Sequence, residues 1–158
     1  MEASMSPIVD AALSGLEQVE QLLQAGLQPP FGRKTRVSLI EAAHGHSVFE
    51  GRPDESDYNP MGTVHGGYIA AILDSACGIA AHTGLRPFQA YTTADLKVSF
   101  LRPLTERSGV VRAIGKLVSI GRRAAFSEAE LRDEQGRLCA TASSTLIVFD
   151  RKSERTTA

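Results

Sequence analysis

The sequence is short of several things, and each shortage removes a class of function. Lysine and arginine total 17 against 18 acids, for a net charge of -1. Without a basic surplus there is no footprint for a phosphate backbone, so no nucleic acid partner is expected. No apolar run reaches the ~18 residues that a membrane span needs, so no membrane association is expected either. The opening MEASMSPIVD has no basic segment leading into an apolar one, and no secretory signal is expected. Cysteine is limited to Cys77 and Cys139, both among apolar neighbours and without metal-ligand spacing. They read as buried, reduced thiols of a cytoplasmic protein that binds no metal. Repeats and interdomain linkers are also missing.

What is present suits one globular domain. In 158 residues, 42% are hydrophobic and 22% charged, enough to bury a core. Residues 7–26 read as an amphipathic helix, with Pro7 in its first turn and Ile8, Ala12, Leu16, Val19, Leu22 and Leu23 at helical period. Gly26 and the pair Pro29-Pro30 end it. Residues 35–50 read as a strand bent near Gly45. A long helix is expected from about His65 to Gly84, with Ile69, Ile72, Leu73, Ala76, Ile79 and Ala80 directed at a sheet.

Beyond it the period changes to two. YTTADLKVSF sets Ala94, Leu96, Val98 and Phe100 against Thr93, Asp95, Lys97 and Ser99, as a half-buried strand does. GVVRAIGKLVSI and AAFSEAELRD read as two more strands joined at GRR, and DEQG leads by a hairpin into RLCATASSTLIVFD. Strands gathered after one central helix indicate an α+β fold with a mostly antiparallel sheet curled around that helix. The tail RKSERTTA is expected to fray.

The chemistry concentrates in YNPMGTVHGGYIAAILDSACGIAAH, residues 58–82. Gly66 and Gly67 open the helix, where free N–H groups and the helix dipole favour negative charge. Donors so placed stabilise a developing oxyanion by roughly 3–4 kcal/mol, which suits acyl transfer. Asp74 is the one acid in this apolar helix, eight residues past Gly66. At 1.5 Å per residue that is roughly 12 Å along the axis, too far for one site within one helix. Two such helices, antiparallel about a two-fold axis, would bring Asp74 of one subunit to Gly66 of the other.

The same stretch resembles the hotdog-fold thioesterases, in particular the PaaI-like branch. The resemblance rests on NPMGTVHGG with Asp74 eight residues after the first glycine of its Gly-Gly pair, on YTTADLKVSFLRPL and on GRRAAFSEAELRDEQGRLCATASSTLIVF, and covers residues 35–150. It implies a hotdog fold at residues 31–150, a curved antiparallel sheet wrapped around one long central helix. An N-terminal helical extension occupies 1–30 and a flexible tail 151–158. It also implies a cytoplasmic homodimer or dimer of dimers that hydrolyses acyl-CoA without a cofactor. On that resemblance Gly66 polarises the thioester carbonyl, and Asp74 of the partner subunit acts as general base or nucleophile. His65 and Asn59 stand near the thioester, Asn59 orienting His65 or the water and His65 assisting the leaving thiolate. Thr93 positions the water, and Gly121, Arg122 and Arg123 lie near the CoA nucleotide, where Arg suits phosphate. The acid favours the PaaI-like side over the branch that uses Glu. Tyr68, Leu101 and Phe88 are candidates for setting pocket width, for an aromatic or a medium-chain aliphatic acyl group. A hotdog enoyl-thioester hydratase or dehydratase and a non-catalytic acyl-CoA-binding protein are the alternatives.

Overall fold

The computed structural model describes residues 9–151. Two helices come first, α1 (Gly15–Gln24) and α2 (Pro30–Thr35), then strands β1 (Val37–Ala43) and β2 (His46–Gly51). The central helix α3 (Gly66–His82) precedes β3 (Gln89–Phe100), β4 (Val111–Ile120), β5 (Ala124–Arg132) and β6 (Leu138–Asp150). The strands form one sheet in the order β1-β2-β4-β5-β6-β3, and every pairing is antiparallel. The sheet wraps α3, which touches all six strands. This is the α+β hotdog architecture.

Helix α3 buries residues almost all round, as a helix enclosed by a sheet must. Ile72, Leu73, Ala76, Cys77 and Ala80 are fully buried, and Ile69 nearly so. Each large side chain among them contributes about 2 kcal/mol on leaving water. Ile79, expected in this core, is only half-buried. The helix is fixed in depth at Gly115 of β4, where an added Cβ would stand 2.2 Å from the carbonyl oxygen of Ala76. Ser47 Oγ, on β2, donates to that same carbonyl at 2.8 Å.

Four expectations need correction. The first helix starts at Gly15, not residue 7, because Ser14 and Glu17 form a reciprocal capping box; Ala12 lies before it, and Pro7 and Ile8 lie outside the described residues. Pro30 does not merely stop that helix but takes the first position of α2, where a missing N–H costs nothing. The bend at Gly45 is a full reversal: Ala43 faces His46 across the turn, and Gly45 supplies the required positive φ of 72°. Finally, strand β3 does not alternate evenly. A bulge between Thr93 and Asp95 leaves Ala94 unpaired and shifts the parity of the strand. Ala94 is therefore exposed, while Leu96 and Val98 pack on the core; Phe100 shares their face but is exposed at the end of the strand. The expected tail lies outside the described residues, apart from Arg151.

Helix α1 is docked on the C-terminal end of α3. Gly15 N–H donates to Leu85 O at 2.9 Å, and a Cβ on Gly15 would collide with His82 O. The His82 imidazole meets Gln18 Oε1 at 3.0 Å, and Gln18 itself is buried. Burial holds the His82 pKa below its ordinary value, with Arg151 adding to the effect. A depressed histidine pKa means that the native state prefers the neutral ring. Its stabilising contribution is complete above ~6.5 and is lost as pH falls toward the folded-state pKa. Thermal unfolding should therefore show a falling midpoint between pH 7 and pH 5, a window above the carboxylates. His82→Gln should flatten that slope.

Candidate active site

Asp74 lies near the middle of α3, half-buried, on the side turned to the edge strand β3. Its Oδ1 accepts a hydrogen bond of 2.9 Å from Thr93 Oγ1. The bulge explains why this pair can meet. Gln89, Tyr91 and Thr93 precede it and share a face with Leu96 and Val98 only because Ala94 is unpaired. Strict alternation would have put Thr93 on the opposite face from Leu96.

The helix start is built separately. His65 is the N-cap of α3, and its Nδ1 accepts the Gly67 N–H at 2.8 Å. That bond puts the ring proton of the neutral imidazole on Nε2, on an exposed side chain. The Gly66 N–H has no acceptor among the described residues. The Phe100 ring lies against it, so close that a Cβ on Gly66 would stand 3.2 Å from the ring. Alternation groups Phe100 with Leu96 and Val98 but does not tell that this end of β3 reaches the helix start.

Asn59 is occupied within its own loop. Its Oδ1 accepts from Met61 N at 2.9 Å and Thr63 N at 3.3 Å, and its Nδ2 donates to Thr63 Oγ1 at 3.0 Å. It makes no hydrogen bond to His65; instead it shapes the turn that leads into the helix. Gly121, Arg122 and Arg123 form the exposed turn between β4 and β5, closed by Gly121 N–H to Ala124 O at 2.7 Å. Neither arginine has an ion-pair partner among the described residues. The turn follows Ile120, which packs with Leu85 beyond the C-terminal end of α3. Within one chain, then, Asp74 and Thr93 come together, while Gly66 and the arginine turn lie toward opposite ends of the helix.

Beside Asp74 opens a pocket of about 270 Å³, which the sequence had not disclosed. Helix α3 contributes Ala71, Ile72, Asp74, Ser75 and Ile79 to it, and β3 contributes Tyr91. The spacing of Ala71, Asp74, Ser75 and Ile79 is that of one helical face and was the available signal. Burial, and then the charge of Asp74, hold the Tyr91 phenol above its ordinary pKa, so it remains a neutral O–H. Tyr68, Leu101 and Phe88, the side chains expected to set pocket width, do not line this pocket. Tyr68 instead points at Gly51 of β2, where a Cβ would meet its hydroxyl. Among the described residues no cluster of His, Cys, Asp and Glu is placed to hold a metal ion, and no helix is long and apolar enough to cross a membrane.

A hotdog sheet around a helix that carries an open N-terminal donor and a hydrogen-bonded mid-helix acid is an arrangement suited to acyl chemistry. Comparison with known families narrows that chemistry. The thioesterase superfamily model matches residues 61–140, half of the chain, and the chain belongs to that superfamily. Its reaction class is thioester hydrolysis. The proofreading thioesterase EntH of Cronobacter sakazakii is 30% identical over 88 residues, 56% of this chain and 63% of that protein, so the match leaves over a third of that relative uncovered. A 1,4-dihydroxy-2-naphthoyl-CoA hydrolase of Listeria monocytogenes is 23% identical over 80% of this chain and 98% of that one. Among solved structures, a variant of the phenylacetic acid degradation protein PaaI from Thermus thermophilus superposes with a TM-score of 0.68 at 28% identity, covering 75% of this chain and 98% of that one. A thioesterase from Haemophilus influenzae shares the fold at a TM-score of 0.74 and 22% identity, over 89% and 94%.

Cys77, three residues past Asp74, is the one thiol in the helix. It is fully buried, and its thiol is pushed up to about 12 by burial and then by the charge of Asp74. At neutral pH it is neither exposed nor a thiolate, which removes it from the chemistry. Cys139 is likewise buried and free. Iodoacetamide at pH 8 should leave both thiols unmodified in the native protein and label both after unfolding in urea, as read by intact mass.

Proposed function

We propose that the protein hydrolyses acyl-CoA thioesters in the cytoplasm at sites shared between two subunits. The observation that carries this reading is the Thr93–Asp74 hydrogen bond, which holds a carboxylate at the mouth of an apolar pocket. Thr93 engages Oδ1 and leaves Oδ2 free to take a proton from water. The water oxygen attacks the thioester carbonyl carbon, and its proton passes to Asp74. The carbonyl oxygen becomes an oxyanion at the Gly66 N–H of the other subunit, at the positive end of that helix. Collapse breaks the C–S bond and releases the thiolate of CoA. The His65 Nε2–H would offer that sulfur a hydrogen bond, and the proton held by Asp74 is released to solvent as the acid and CoA leave.

The composite site follows from distance. Gly66 and Asp74 of one chain are roughly 12 Å apart along α3. Strand β3 is an edge strand with one side unpaired among the described residues, and the Thr93 and Phe100 positions both lie on it. A second copy, related by a two-fold axis along this edge, would turn its Gly66 toward Asp74. Asn59 supports the site by shaping the loop before His65. The exposed Arg122 and Arg123 offer charge for the phosphates of CoA.

Asp74→Asn should lower kcat by roughly 10²–10⁴, the range of general-base catalysis, without loss of folding. Turnover equal to the parent protein would sink the assignment. Thr93→Val should cost roughly five- to tenfold in kcat, the worth of one hydrogen bond. Shared sites are tested by mixing Asp74→Asn and Gly66→Val subunits, each inactive alone. Random reassociation makes half of the dimers mixed, and one of their two sites is intact, so about one quarter of parental activity should return. Absence of any recovery would mean that each chain holds a whole site. The CoA contact is tested by the double change Arg122→Glu and Arg123→Glu. It should raise KM for acyl-CoA several-fold and leave KM for the matching acyl-pantetheine in place.

A further inference from the structure

The N-terminal helices do more than decorate the domain. Once Gly15 and Gln18 tie α1 to the end of α3, the chain runs through α2 to β1 and leaves a gap above α3. That gap is the pocket of about 270 Å³ beside Asp74. Its outer wall is Leu22, Leu23, Leu27 and Phe31, from residues that precede the matched region 61–140.

The polarity of the pocket changes from one side to the other. Asp74, Ser75 and the Tyr91 hydroxyl belong to the α3 and β3 side. The N-terminal wall is mostly hydrocarbon, and two of its polar side chains have partners of their own. Thr35 Oγ1 donates to Phe31 O at 2.8 Å, and the Gln28 amide is turned to Ser38. Ser75 Oγ is also engaged, with Ala71 O at 2.9 Å. A polar substituent pushed against Leu22 and Leu23 of that wall would lose its water and find no partner on them. A saturated chain loses nothing. Leu27 and Phe31 at the rim are more than half exposed, at 53% and 56%, and a chain lying along the wall would cover them.

We propose that residues 22–35 form the acyl-binding wall of the site, and that the group it accepts is an unsubstituted, medium-length aliphatic acyl chain with its carbonyl at Asp74. Resting on the thioesterase reading, this names the substrate class of the same site. The size follows from the volume: at ~30 Å³ for each water-sized group, the pocket holds about nine methylene-sized units, or a chain of about eight to ten carbons. Hydroxylated aromatic acyl groups, such as the one in the name of the Listeria monocytogenes relative, are poor fits for the wall.

The test is the kcat/KM profile over straight-chain acyl-CoAs from butyryl to palmitoyl, with 4-hydroxybenzoyl-CoA alongside. The parent protein should peak at eight to ten carbons and turn over 4-hydroxybenzoyl-CoA at least tenfold less well than the peak substrate. Leu23→Trp narrows the wall and should lower the decanoyl-to-butyryl ratio at least tenfold. Phe31→Ala, an exposed position that leaves folding intact, should raise the myristoyl-to-decanoyl ratio. Ratios unmoved in both variants, or a peak on 4-hydroxybenzoyl-CoA, overturn the proposal. Decanoate binding to the Asp74→Asn protein by calorimetry separates the wall from the chemistry. It should be at least tenfold weaker once Leu23→Trp is added. Decanoate bound in this way by a protein that hydrolyses no acyl-CoA would sink the thioesterase reading and keep the wall. Hydrolysis with binding indifferent to Leu23→Trp would sink the wall alone, and would leave the groove to a partner subunit.

Discussion

The depth at which α3 sits on the sheet governs everything else in the molecule. At Gly115 the backbone of β4 comes so near the helix that no side chain fits between them, and Ser47 anchors the Ala76 carbonyl from β2. Ala76 is thereby fixed toward the sheet. A residue two positions earlier is rotated about 200° from it, which turns Asp74 away from β4 to the flank that β3 covers. On that flank the acid meets a hydroxyl rather than the hydrocarbon of the core. A larger residue at 115 would lift the helix, and the Thr93–Asp74 bond of 2.9 Å has no slack to follow.

The second constraint is the unpaired Ala94. A strand as long as β3, Gln89–Phe100, would normally keep one set of side chains inward throughout. With the bulge, its first half sends Tyr91 and Thr93 toward the helix, and its second half sends Leu96 and Val98. The same shift puts Phe100 on the helix-facing side, where its ring lies beside Gly66 at the end of the strand. One extra residue thus serves the acid at one end of the strand and the open helix terminus at the other. Alternation is a reliable guide to a strand's existence but carries no information about where parity changes. The motif placed Thr93 near the acid, whereas its local pattern pointed it away, and the bulge reconciles the two.

The same distinction separates what could be read from what could not. Helix α3 was legible because its apolar character is local, and its N-terminus because Gly66 and Gly67 follow a residue that caps. The start of α1 was legible too, in Ser14 and Glu17, but Pro7 looked like an equally good first turn. Helix α2 was hidden by reading Pro30 only as a breaker. The pocket was not legible at all. It depends on Gly15 meeting the carbonyl of His82 and on Gln18 meeting its ring, contacts across more than sixty residues. Nothing in the amphipathic pattern of residues 15–24 says which partner the helix will choose.

That docking changes what the eight residues between Gly66 and Asp74 mean. Within one chain the donor and the acid face different surroundings: an aromatic ring exposed at the edge for Gly66, and a hydroxyl and an apolar pocket for Asp74. On the shared-site reading, the acid's own chain brings both the base and the wall that measures the acyl group, and the partner brings only the oxyanion donor and His65. Selection of the acyl chain and activation of water would then sit on one subunit, tied together through α3. Polarisation of the carbonyl would arrive with the other. The carbonyl would be activated only where the two meet, so a chain held in the pocket of an isolated subunit would stay unhydrolysed, however well it fitted.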